Sequence, residues 1–150
     1  MKYSHKLSDA VHILAYVHIY ADGDLSSSAI ASSVEANSSM VRRMMSKLVK
    51  AGLLNSQPGK VALTLAKDPQ AITLLDVYLA VEDNRNLLHI DEKTNPLCIV
   101  GGNIQNTLDT IYAAVQQDAE ASMAKHTLAE IIDDILAREQ AKHVAHNTSR

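Results

Sequence analysis

From Lys6 to Tyr20 the apolar positions recur every three or four residues, on two stripes. Leu7, Val11 and Leu14 continue into His18, and Ile13, Tyr16 and Val17 continue into Tyr20. That period predicts a helix, and a helix apolar on most sides is buried on most sides. Ala21-Asp22-Gly23-Asp24 interrupts the pattern as a turn. The stretch "SSSAIASSV" then predicts a short helix over residues 28–34 with Ser27 as N-cap, followed by a tight connection at Glu35-Ala36-Asn37. Asn37 or Ser38 caps a second helix that stops near Ala51-Gly52. At about 100° per residue, with Val41 at zero, Met44, Met45 and Leu48 fall within roughly 60° of it. Ser39, Arg42, Arg43, Ser46, Lys47 and Lys50 fall on the opposite side. Two short helices with so brief a connection make a helix-turn-helix candidate.

Past Gly52, "LLNSQPGKVALTLA" predicts two short strands around a Gln57-Pro58-Gly59-Lys60 turn: Pro-Gly marks the turn, and Val61, Leu63 and Leu65 alternate with Ala62 and Thr64. Helix, turn, helix and a hairpin with a basic tip form a winged helix. A further helix is expected over residues 73–82, then an irregular polar segment over 83–97. A long helix follows over 100–124, in which Ile104, Leu108, Ile111 and Val115 are spaced alternately by four and three. So narrow an apolar seam suits packing on a partner helix. Thr127-Leu128-Ala129-Glu130 reads as a capping box opening a last helix. The expected fold is therefore mainly α: a winged helix-turn-helix with a small β-hairpin wing and a long C-terminal dimerisation helix. Its divisions are residues 1–82 for DNA binding, 83–138 for dimerisation and sensing, and a disordered tail over 139–150.

Composition agrees with a helical core. Hydrophobic residues make up 47% of the 150, yet there is no Phe or Trp and only five Tyr, so the core is aliphatic. The single cysteine, Cys98, excludes an internal disulfide framework and fits a reducing compartment. No secretory signal and no stretch of membrane-spanning length is found, so the expected location is the cytoplasm. Charge changes the picture more. Residues 1–60 hold seven Lys/Arg against four Asp/Glu, a net +3, and residues 61–150 hold seven against thirteen, a net −6. Between Asn37 and Lys60 there are five basic residues and no acid. Such asymmetry points to a half that binds a polyanion, with an ordinary solvated face as the plain alternative.

"VRRMMSKLVKAGLLNS", "LAKDPQAITLLDVYLAV" and "NPLCIVGGNIQNTLDTIYAAV" together resemble the Rrf-two family of winged-helix transcription regulators, in its YwnA-like branch. The resemblance implies a homodimer crossed at the long helix, with Ile104, Leu108, Ile111 and Val115 at its interface. It also implies DNA binding at a pseudo-palindromic operator, usually for repression. Ser39, Arg42, Arg43, Ser46 and Lys47 would face the groove or its phosphates, and Gln57 and Lys60 would sit on the wing. Ser27, Ser28, Ser38 and Lys50 complete the candidate DNA contacts. Two departures stand out. Gln57 lies where the family wing carries arginine, and its Gly pair is missing. Cluster-binding members carry three cysteines before the long helix, whereas here only Cys98 remains.

An iron–sulfur cluster usually needs four protein ligands, mostly thiolates, and His89, Asp91 and Glu92 are poor substitutes. No cofactor or metal is expected. Cys98 admits two readings: a redox-sensing thiol activated at a helix N-terminus, or a small buried hydrophobe. A small-molecule or thiol-reactive effector is compatible with either, but no residue nominates its pocket. His143 and His146 have metal-like spacing in the expected tail. No phosphate-binding glycine loop and no nucleophile motif points to an enzyme. The other function class is a protein-interaction module, in which the winged helix and dimer helices regulate a partner protein. Salt dependence separates it from a DNA reader.

Overall fold

The computed structural model describes residues 4–57 and 60–149, with only the backbone described at Gln57 and residues 60–62. Helix α1 spans Lys6–Ile19, α2 Ser27–Val34 and α3 Ser38–Lys50. Strands β1, Leu54–Gln57, and β2, Lys60–Leu65, pair antiparallel with Leu54 opposite Leu65 and Gln57 opposite Lys60. The register shifts between Asn55 and Gln57. Helix α4 spans Leu74–Val81, α5 Ile104–Met123 and α6 Leu128–Thr148. The hairpin tip, Pro58-Gly59, lies outside the described residues, as do the side chains of Gln57 and Lys60.

Helix starts are written in short polar side chains. Ser26 Oγ accepts from the Ala29 amide at 3.2 Å, so the cap of α2 is Ser26 and Ser27 is its first helical residue, one position earlier than the spacing predicts. Asn37 Oδ1 accepts from the Met40 amide at 2.8 Å and caps α3. The reciprocal capping box occurs at Thr73 and Asp76 on α4. At α6 only half of one forms. Thr127 Oγ1 accepts from the Glu130 amide at 3.1 Å, while the Glu130 carboxylate turns to His126 Nδ1, also at 3.1 Å. Gly52 ends α3 at φ 77°, the left-handed region glycine enters freely.

Between α2 and α3, Glu35 occupies that region at φ 59° without being glycine. A side chain there costs about 1–2 kcal/mol, partly offset by the unfolded-state freedom a glycine would add. Glu35→Gly is therefore expected to stabilise the fold by about 0.5–1 kcal/mol, read by urea denaturation. A loss of stability would mean the Glu35 side chain makes a compensating contact.

One apolar cluster holds the winged helix together. Ala10, Ile13, Leu14 and Val17 of α1 meet Ile30 of α2 and Val41, Met44 and Leu48 of α3. Leu53, Leu54 and Leu63 of the hairpin and Val77 and Val81 of α4 close it. Leu128 and Ile132 of α6 belong to the same cluster. Backbone bonds stitch α6 in place: the Leu74 amide donates to His126 O at 2.9 Å, and the Leu128 amide to Ile72 O at 2.8 Å.

Two expectations are corrected. Residues 139–150 are expected as a disordered tail, but α6 continues to Thr148. The reason is local: the stretch is rich in good helix formers, and ion pairs one turn apart run along it. Arg138 meets Asp134 at 2.6 Å and His143 meets Glu139 at 3.1 Å. The long helix is expected from residue 100, but α5 begins at Ile104. Residues 97–103 are turns, held by Thr94 Oγ1 donating to Gly101 O at 2.6 Å and Asn103 Nδ2 donating to Ile99 O at 2.8 Å. A Cβ at Gly101 would lie 2.2 Å from Asn95 O, so the chain passes too close for any other residue.

Candidate nucleic-acid interface

The α3 helix carries two chemistries on opposite sides. Val41, Met44 and Leu48 are buried and Met45 is half-buried. Ser39, Arg42, Arg43, Ser46 and Lys50 are exposed, and Ser38 and Lys47 are half-buried. No acidic residue lies on the helix. Arg42 reaches back to the start of α2, where Nη1 donates to Ser27 Oγ at 3.4 Å. Ser27 is half-buried and Ser28 exposed, so the α2 start and the α3 outer face form one surface. Ser46 Oγ donates to Arg42 O at 3.1 Å, which occupies its hydroxyl hydrogen but leaves its oxygen free to accept. The Asp24 carboxyl lies below its ordinary range, because its oxygen accepts from the Ser26 amide at 2.9 Å.

Lys47 differs from the other cations of this face. Its Nζ lies 3.1 Å from Asp83 Oδ1, and Lys6 Nζ lies 2.7 Å from Asp83 Oδ2. The hydrogen bond from Lys6, then that from Lys47, holds the Asp83 carboxyl below the usual carboxylate range. Beside this triad, between α1 and α3, is a cavity of about 400 Å³ with Met40 and Met44 at its wall and Arg43 and His5 at its edge. Nothing in the sequence pattern signals the triad: Asp83 is 77 residues from Lys6 and 36 from Lys47.

Helix α5 has no residue buried within the protomer. Ile104 and Leu108 are half-buried, while Ile111 and Val115 are 53% and 44% exposed. Just before it, Leu97 and Ile99 are almost wholly exposed. Gln116 fastens the helix to the preceding segment: its Nε2 donates to Arg85 O at 2.6 Å, and its Oε1 accepts from the Leu87 amide at 2.9 Å. An open groove of about 750 Å³ runs between residues 84–92 and α5, lined in part by His89, Tyr112 and Gln116.

Cys98 sits in the turn before α5, not on the helix, and is exposed. Both sequence readings therefore need correction: it is not a buried hydrophobe, and no helix N-terminus activates it. Its thiol pKa is lowered instead by the backbone amides of Gly101 and then Val100. Among the described residues, no three His, Cys, Asp or Glu side chains converge on a point where a metal could sit.

A helix-turn-helix whose second helix shows only donors and cations outward, followed by a two-stranded hairpin, defines a winged-helix DNA-binding regulator of transcription. A family model described as "Iron-dependent Transcriptional regulator", Rrf2, matches residues 3–134. The chain is 40% identical over 130 residues to YwnA of Bacillus subtilis (strain 168), named as a helix-turn-helix-type transcriptional regulator, covering 87% of this chain and 96% of that protein. A crystal structure described as that of a DNA-binding protein shares 39% identity, with a TM-score of 0.67 over 85% of this chain and 98% of the other. IscR of T. potens shares the fold, at 20% identity and a TM-score of 0.64 over 90% and 88% of the two chains. The chain belongs to the Rrf2 family of transcriptional regulators.

The iron in the family's description does not fit these side chains. Cys98 is the one cysteine, where a cluster takes mostly thiolates, and the donors near it in sequence do not gather around it. No helix among the described residues is long and apolar enough to cross a membrane.

Proposed function

We propose that the protein is a homodimeric repressor that reads a pseudo-palindromic operator without an iron–sulfur cluster and catalyses no reaction. The observation that carries this reading is the outer face of α3, where Arg42 and Arg43 project among serines with no acid on the helix. Arginine pairs bidentately with guanine, while lysines and hydroxyls hold phosphates and set register. In a dimer two such helices enter successive major grooves about 34–36 Å apart. Ser27, Ser28, Ser38 and Ser39 contact the flanking backbone, and Gln57 and Lys60 bring the wing to it. The unburied seam of α5, Ile104 through Val115, supports pairing with a second copy. Residues 1–82 are then the reading part, and 83–138 the part that pairs and senses.

Cys98 is the sensing thiol in this reading. Its exposure and the two amides that favour its thiolate support that role. A change there lies at the root of α5 and would alter the angle between the two reading helices.

Fluorescence anisotropy on a duplex from upstream of the protein's own gene, with a scrambled duplex as control, tests both parts. Preference for the native duplex is expected, with log affinity falling steeply as log salt rises. Equal and weak binding to both, with little slope, would instead favour a protein-interaction module. Alkylation of Cys98 is expected to lower affinity in the wild type and to do nothing in Cys98→Ser. An equal loss in the serine variant would remove Cys98 from the mechanism.

A further inference from the structure

Asp83 is the first residue past the C-cap of α4, and its two oxygens receive two ammonium groups from distant parts of the chain. Lys6 opens α1, and Lys47 lies on the helix that faces DNA. Two lysines converging on the oxygens of one anion is the arrangement a backbone phosphate would receive from them. We propose that Asp83 is an affinity-setting residue, an internal anion holding Lys6 and Lys47 in the seat a DNA phosphate takes when the duplex docks. The inference rests on the reading that α3 docks on DNA.

The carboxylate is not on a free loop. Tyr78 Oη donates to Arg85 O at 2.5 Å, and Arg85 Nη2 donates to Leu79 O at 3.0 Å. From the other side, Gln116 on α5 grips the backbone at Arg85 and Leu87. The turn that carries Asp83 is thus clamped between α4 and α5, and the carboxylate stays beside the reading helix. DNA must compete with it for both lysines, and the cost falls on affinity regardless of base sequence. Because Asp83 is well exposed, with a side chain 73% accessible, its pairs add little to folding. The substitution should leave the fold intact and act on binding.

The test is an anisotropy titration over a salt series with the own-gene and scrambled duplexes. The proteins are the wild type, Asp83→Asn, the Lys6→Gln/Lys47→Gln pair, and that pair combined with Asp83→Asn. Glu82→Gln serves as the neighbouring-charge control, since the Glu82 carboxylate accepts from Ser4 Oγ and meets neither lysine. Asp83→Asn is expected to bind both duplexes roughly three- to tenfold more tightly, each exposed pair being worth a few-fold. The slope of log affinity against log salt should steepen by about 1–2, at close to 0.9 per phosphate gained. Without the lysines the gain should vanish, and Glu82→Gln should give less. Unchanged or weaker binding by Asp83→Asn, an unchanged slope, a gain that survives loss of the lysines, or an equal gain from Glu82→Gln would each overturn the proposal. A wild type with no salt-dependent binding to either duplex would overturn the docking reading itself, and this proposal with it.

Discussion

Arg42→Ala is expected to erase most of the preference for the native duplex over a scrambled one, by about ten- to a hundredfold, while much of the non-specific affinity survives. The side chain is exposed, carries no partner acid, and is steadied only by Ser27 Oγ at 3.4 Å. A bidentate contact to guanine is worth about 1–3 kcal/mol of discrimination, so losing one costs base preference more than attachment. Lys50→Ala is the contrast. It sits at the last turn of α3, exposed, where a cation meets phosphate. Its loss should weaken all duplexes alike and reduce the salt slope by about 0.9. If both variants kept full affinity and full preference, the outer face of α3 would not be the reader.

The second large effect is expected at α5. Ile111→Asp together with Val115→Asp should turn the dimer into monomers in sedimentation velocity, with native helix content by circular dichroism. Neither residue is buried within the protomer, so the fold loses nothing that it uses. An unpaired carboxylate forced into an apolar contact costs several kcal/mol, and a symmetric interface meets each substitution twice. Operator affinity should fall at least a hundredfold, because one half-site then binds without its tether to the other. A variant that remained dimeric would move the interface away from this seam. The exposed apolar turn at Leu97 and Ile99 would be the next place to look.

The winged helix is legible because its signals are local. The spacing of Val41, Met44 and Leu48 fixes which side of α3 is buried, and so which side carries Arg42 and Arg43. Pro-Gly between alternating apolar residues marks the hairpin. The differences arise where a long-range contact, a backbone detail or two competing partners decides the outcome. The Glu130 side chain could serve either the cap or His126, and the histidine has it. Cys98 lies outside α5 because Gly101 passes close against Asn95, a proximity that no periodicity announces. A charged stretch at the end of a chain reads as a frayed tail, yet the same charges pair along α6 and extend it. Asp83 was least legible of all, since its two lysines come from α1 and α3 and only the folded chain brings the three together.

Leu128 and Ile132 lie in the same apolar cluster as Ile13 and Leu14 of the first helix. On the ribosome, α1 emerges early, with its apolar sides open, and must wait for more than a hundred further residues before its last neighbours arrive. Domains tend to fold as units during synthesis, and exposed apolar surface is most hazardous while it waits. The reading helix is therefore held by a core that closes only when translation is nearly done. A ribosome that stalls after the wing would leave a chain with both reading arginines and no finished scaffold to aim them.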